Sequence, residues 1–183
     1  MIAYGHTWSP TLELAPKTPL RHGHAISIDM AYSATLAWCR GLIPEKDHRR
    51  ILNLFSRAGL SMDHELFDDV LLAKGTDAIL KTRDGMLRGA IPCPIGECVF
   101  LNDVTQDEMD KALQTHKDIC AKYPRGGAGI DAYVDSSDTG ELLESAEGLL
   151  AAADKAGDGI MGAMEKMVAP AVDRLAAAGK VKN

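Results

Sequence analysis

Two histidines near the start of the chain each stand beside a glycine: His6 follows Gly5, and His22 precedes Gly23 sixteen residues after His6. A third, His24, follows at once in His22-Gly23-His24. Neutral imidazole is a standard zinc ligand, and a catalytic zinc takes three protein ligands and keeps one position open. Glycine beside a ligand lets the backbone come close and adopt dihedrals closed to other residues. Spacing alone leaves two readings, a shared metal or histidines that each hydrogen-bond locally at a loop or helix start. Glu13 can accept from the second ring nitrogen of His6, as metal histidines require, or can be an exposed helix-start glutamate. Asp29 lies in an apolar run, where a buried carboxylate needs partners; it either holds the site or faces solvent. Arg83 and Arg88 can reach phosphate or serve as surface charges. His48, His64 and His116 lie in charged helical stretches and are expected in solvent, and Met161, Met164 and Met167 have the spacing of helix packing.

The elements that must position these residues are mostly helical. Residues 1–20 carry Pro10, Pro16 and Pro19 and read as loop. Ala25 to Arg40 is apolar on more than one face, which predicts a central buried helix, closed by Gly41. Pro44 opens a second helix to about Ala58, ended by Gly59. Asp63 is positioned to cap a third, His64 to Ala73, and Thr76 to Thr82 reads as one more short helix. Residues 86–92 and 97–101 are β-like runs around Pro94-Ile95-Gly96 and predict a small hairpin. Thr105 with Glu108 has capping-box spacing and opens a helix to about Tyr123. Residues 126–140, rich in Gly, Asp and Ser, read as a linker. Residues 141–183 are Ala-rich, a helical tail interrupted near Gly157-Asp158-Gly159 and at Pro170.

Composition excludes several classes. The 183 residues carry a formal net charge of -6 and no run of Lys or Arg, so neither nucleic acid nor an anionic membrane is favoured as a partner. The longest apolar runs fall well short of the roughly 18 residues of a membrane span. Met1 to His6 has neither the basic nor the apolar region of a signal peptide. Cys39, Cys93, Cys98 and Cys120 show no paired metal spacing; free thiols in a reducing, cytoplasmic setting are expected.

The wording around the histidines narrows the choice. Gly5-His6-Thr7-Trp8-Ser9-Pro10-Thr11-Leu12-Glu13 and Leu20-Arg21-His22-Gly23-His24-Ala25-Ile26-Ser27-Ile28-Asp29-Met30 resemble the paired zinc motifs of the dehydroquinate synthase superfamily, GHTFGHxxE and LHGExVAIGM. Pro10 stands where that superfamily has its second histidine, and His24 where it has glutamate. Both departures resemble the branch that cyclises sedoheptulose 7-phosphate. Within that branch, Ala3 and Thr82 resemble the group that forms desmethyl-4-deoxygadusol; the group that forms 2-epi-5-epi-valiolone carries Asp and His there.

The resemblance implies a mainly α fold, the C-terminal helical metal-binding domain of a dehydroquinate synthase-like protein over residues 1–125, with the small hairpin inside it. It implies His6 and His22 as metal ligands, with Ala3, Pro10, Thr82 and Arg83 at the substrate and Glu13, His24 and Asp29 behind the ligands. It implies zinc, with cobalt as a substitute, NAD as cofactor, a sugar phosphate as substrate and a homodimer. The glycine-rich NAD loop of the N-terminal half and the third ligand, a glutamate, have no counterpart in these residues, so the NAD-binding half is an expected partner. The rival expectations are a member of the valiolone-forming group, or a non-catalytic fragment or subunit that lacks the NAD-binding half.

Overall fold

The computed structural model describes residues 4–134. Five α-helices and one two-stranded sheet follow in the order α1 (Ser9–Glu13), α2 (His22–Cys39), α3 (Glu45–Arg57), α4 (Asp69–Thr82), β1 (Gly89–Pro92), β2 (Cys98–Leu101) and α5 (Gln106–Cys120), with a 3₁₀ turn at Pro124–Gly127. The mainly helical architecture with one hairpin agrees with the sequence reading.

Helix α2 is the axis of the domain. It packs against α1, α3, α5 and β1, and Ala25, Ile28, Ala31, Tyr32, Ala34, Leu36 and Ala37 are fully enclosed. This is what apolar residues on every face of a helix demand. Gly41 stops it at φ +71, with the Leu42 N–H reaching back to the Ala37 carbonyl at 2.8 Å. The helix begins at His22, three residues earlier than the apolar run suggests, which moves His22 and His24 from a loop onto a helix.

The stretch expected as two helices over 64–73 and 76–82 is one, α4. Its cap is Asp68, whose carboxylate accepts from the Leu71 N–H at 2.8 Å. Asp63 is paired instead with Lys117 at 3.0 Å. Gly75 does not break the helix. A Cβ there would lie 3.2 Å from Trp8 Cδ1 and 3.3 Å from Thr11 Oγ1, so glycine lets α1 press against α4.

His48 and His116 are not in solvent but 1% and 0% exposed, and His64 is half-buried. His48 and His116 sit on the core faces of α3 and α5, joined through Thr35 of α2. His116 Nε2 lies 2.8 Å from the Met62 carbonyl, which can only accept, so Nε2 carries a proton; the Thr35 hydroxyl lies 2.8 Å from His116 Nδ1, 3.0 Å from His48 Nε2 and 3.2 Å from the Ala31 carbonyl.

The hairpin pairs Gly89 with Leu101 through Pro92 with Cys98, antiparallel. Cys98 faces Pro92 in this register, and Cys93 lies just past β1, in the turn. All four cysteines are free thiols. Only half of the expected capping box forms at α5. Thr105 accepts from the Glu108 N–H at 3.3 Å, while the Glu108 carboxylate turns to Arg40, which also holds Asp103 at 2.8 Å.

Residues 127–134, expected as linker, are hydrogen-bonded onto the domain. The Met62 and Arg21 N–H groups donate to the Gly127 and Ala132 carbonyls at 2.8 Å each, the Ile130 N–H donates to Gly59, and Leu20 bridges Tyr133. The rest of that linker and the Ala-rich tail lie outside the described residues, as does Ala3.

Candidate metal centre

His6 and His22 meet. Their ring centroids are 5.5 Å apart with the rings inclined at 61°. Two imidazoles on one tetrahedral zinc, with bonds of about 2.0–2.1 Å, place their centroids about 5 Å apart, so the observed pair fits one ion.

The hydrogen bonds orient both rings the same way. His6 Nδ1 lies 3.3 Å from the Tyr4 carbonyl, which can only accept, so Nδ1 carries the proton. His22 Nδ1 lies 2.8 Å from Glu13 Oε2. Neither Nε2 has a hydrogen-bond partner among the described residues, so Nε2 is the nitrogen each ring has left for a metal. Glu13 thus stands behind His22, where the sequence reading had it behind His6. The reason is geometric: Glu13 ends α1, and α1 packs alongside the first turn of α2. Among the described residues no third His, Cys, Asp or Glu joins the pair.

The loop that carries His6 is held tightly. Gly5 has φ +78, and a Cβ there would fall 2.7 Å from Ile26 Cγ2 and 2.8 Å from Met30 Cγ, so the backbone rests directly on α2. The Ser9 hydroxyl donates back to the Gly5 carbonyl at 2.6 Å. Asp29, fully buried, accepts from the N–H groups of Trp8 and, at 2.8 Å, Ser9, with the Ser33 hydroxyl at 3.3 Å on its other oxygen. Burial pushes the Asp29 carboxyl up, and the Ser9, Trp8 and Thr7 N–H groups and Ser33 pull it back only in part. Beside His6, the buried Thr7 hydroxyl has no partner among the described residues.

The other expected site residues fall elsewhere. His24 lies on the opposite side of α2 from His22, as residues two apart on a helix must. Its Nδ1 takes the Ser61 N–H at 3.2 Å and the Ser61 hydroxyl at 2.9 Å, away from the pair. Burial, then the nearby Arg21, lowers its pKa. Pro10 is exposed in the first turn of α1, where its fixed φ suits a helix start. Thr82 ends α4 with its hydroxyl donating to the Ala78 and Ile79 carbonyls at 3.0 and 3.1 Å, so it offers no free donor. Arg83 follows it and leans 3.4 Å from the Leu87 carbonyl; Arg88 is exposed at φ +45. Reading the sequence missed the supporting roles of Tyr4, Ser9 and Ser33. Of these only Ser33, one turn after Asp29, left a local signal.

Residues 1–81 match the family described as 3-dehydroquinate synthase C-terminal. The chain carries a dehydroquinate synthase-like C-terminal domain. It is 58% identical over 133 residues to the demethyl-4-deoxygadusol synthase of Trichormus variabilis, covering 73% of this chain and 32% of that protein. It is 35% identical over 118 residues to the 2-epi-5-epi-valiolone synthase of Streptomyces albus, covering 64% and 29%. The fold is similar to that of ValA, the 2-epi-5-epi-valiolone synthase of Streptomyces hygroscopicus subsp. jinggangensis solved with NAD+ and Zn2+ bound. The TM-score is 0.61 at 38% identity, over 63% of this chain and 32% of that one. The chain therefore spans about a third of the length of these relatives.

Proposed function

We propose that this chain forms the metal-binding side of a sugar phosphate cyclase that converts sedoheptulose 7-phosphate to desmethyl-4-deoxygadusol. The observation that carries the reading is the His6–His22 pair, two imidazoles with centroids 5.5 Å apart whose Nε2 atoms have no hydrogen-bond partner among the described residues. His6 and His22 would supply two of three protein ligands to zinc, or to cobalt in its place. A bound zinc supplies Lewis-acid polarisation and orientation of substrate oxygens, and NAD, held by a separate α/β half, supplies the hydride chemistry. This chain's own residues fix geometry: Glu13 holds the proton on His22 Nδ1, and the Tyr4 carbonyl does the same for His6.

Two features support the gadusol-type product over the valiolone-type one. Identity to the demethyl-4-deoxygadusol synthase is 58%, against 35% to the valiolone synthase above. Ala3 and Thr82 also replace an acid and an imidazole that can hold hydroxyls and move protons near neutral pH. In this reading Thr82 matters for the imidazole it replaces, since its own hydroxyl is spent on its helix. The test is product identification by mass and absorbance on a complete protein that includes the NAD-binding half. A product that is the non-absorbing valiolone alone overturns the product assignment. No zinc dependence and no loss of activity in His6→Ala or His22→Ala overturns the metal assignment.

A further inference from the structure

We infer that Asp29 is a positioning residue for the metal pair: it makes helix α2 carry both histidines, His22 directly and His6 through the clamped loop that bears it. The inference rests on the reading of His6 and His22 as ligands.

His22, Ile26 and Asp29 stand at i, i+4 and i+7, on one face of α2. The loop's anchors to α2 lie along that face. Gly5 rests on Ile26 and Met30. Asp29 takes the N–H groups of Trp8 and Ser9. The Ser9 hydroxyl closes the loop back onto the Gly5 carbonyl. His6 is thus fixed on both sides, by Gly5 before it and by two N–H groups after it, and only its ring is left to project. His22 is fixed by the first turn of the same helix.

Asp29 is fully buried and, among the described residues, has no cationic partner; its partners are backbone donors of one loop and the Ser33 hydroxyl. An apolar residue of similar size would spare the cost of burying the charge, but would leave buried N–H groups without acceptors and the loop without a fixed height above α2. A pair of ligands must be correct to within about 0.5 Å to share a metal well. A loop free to slide along the Ile26–Met30 surface would not meet that condition.

The experiment measures zinc affinity of the 183-residue chain by competition with a chromophoric chelator, alongside the melting temperature of the metal-free protein. A structural role alone would lower the melting temperature and leave affinity unchanged in protein that is still folded. The positioning role predicts that Asp29→Ala weakens zinc at least about tenfold well below its melting point, within the about 10–100-fold range of outer-shell changes. Asp29→Asn keeps an acceptor oxygen in place and is expected to stay within about threefold of the parent. If Asp29→Ala does not fold, Asp29→Ser decides, since its oxygen falls short of the loop; about tenfold weakening is expected. Affinity within twofold of the parent in folded Asp29→Ala or Asp29→Ser overturns the inference. Equal losses in Asp29→Ala and Asp29→Asn also overturn it, because they assign the effect to charge. His6→Ala separates this from failure of the underlying reading. If that variant binds zinc as the parent does, His6 is no ligand and both fall.

Discussion

An imidazole serves a metal only when its proton is parked on the far nitrogen, and in this chain that task falls to Glu13 and the Tyr4 carbonyl. Glu13→Ala is expected to weaken zinc about 10–100-fold and to let His22 change tautomer, which nitrogen shifts of labelled histidine would report; Glu13→Gln, which can still accept, should lose much less. An unchanged affinity in Glu13→Ala would separate Glu13 from the site. A pH dependence follows from the buried histidines. Burial first, then the neighbouring His116, lowers the His48 pKa to about 4, and burial lowers that of His116 although the Met62 carbonyl opposes it. Folded-state values below the unfolded 6.5 mean that the stabilising contribution is present above about pH 6.5 and is lost as pH falls towards 4. Asp29, raised by burial, works in the opposite direction and offsets part of that loss. Urea midpoints are expected to fall between pH 7 and pH 5, with His48 contributing a loss of stability of about 2 kcal/mol at most, and His48→Gln should flatten the slope. A midpoint that holds or rises would mean that the His48–Thr35–His116 chain accepts a proton. The His6–His22 pair was legible because its motif is local. The buried pair was not, because Thr35 lies 13 residues from His48 and 81 from His116, and charged neighbours in sequence point to solvent.

Helix α4 shows why element boundaries escape a reading from sequence. Asp63 and Asp68 are both able to cap a helix, and what decides between them is Lys117, over fifty residues away on α5. Gly75 carries the usual mark of a helix break, yet it is a contact surface for Trp8 and Thr11. The central helix was legible because a run apolar on every face has only one place to go. The contact at Gly75 makes a prediction for the site. Gly75→Val would bring methyl groups to where a Cβ already lies 3.2 Å from Trp8, strain the bond from Trp8 Nε1 to Thr76 at 3.0 Å, and push α1 away from α4. Overpacking of this kind costs about 1–3 kcal/mol. Because Glu13 ends α1, zinc binding should weaken together with the melting temperature. Asp68→Ala, at the far end of α4's first turn, should cost about 1 kcal/mol and leave zinc binding alone. Equal effects of the two changes on zinc would break the proposed link between α1 and the metal pair.

At the scale of the molecule, the proposed site needs parts that the described residues do not contain. The relatives are about three times as long, and the histidine pair has no third ligand among the described residues. The 183-residue chain, given NAD and zinc, is therefore expected to form no product from sedoheptulose 7-phosphate, and to bind zinc more weakly than a protein that supplies the third ligand. Cyclised product from the chain alone would show that the site lies wholly within it. Specificity is the property that needs the complete protein. The Ala3→Asp/Thr82→His double variant restores a carboxylate and an imidazole, groups able to hold hydroxyls and exchange protons, where alanine can do neither and threonine only hydrogen-bonds. Thr82 stands exposed at the end of α4 with its hydroxyl turned to the Ala78 and Ile79 carbonyls, so replacing it breaks no side-chain hydrogen bond outside its own helix and should leave folding intact. In the complete protein the double variant is expected to shift product from the absorbing gadusol type towards the valiolone type, read as lost absorbance at unchanged substrate consumption. A variant that still makes only the absorbing product would move the determinants of product choice to the NAD-binding half and leave the metal pair's role unaltered.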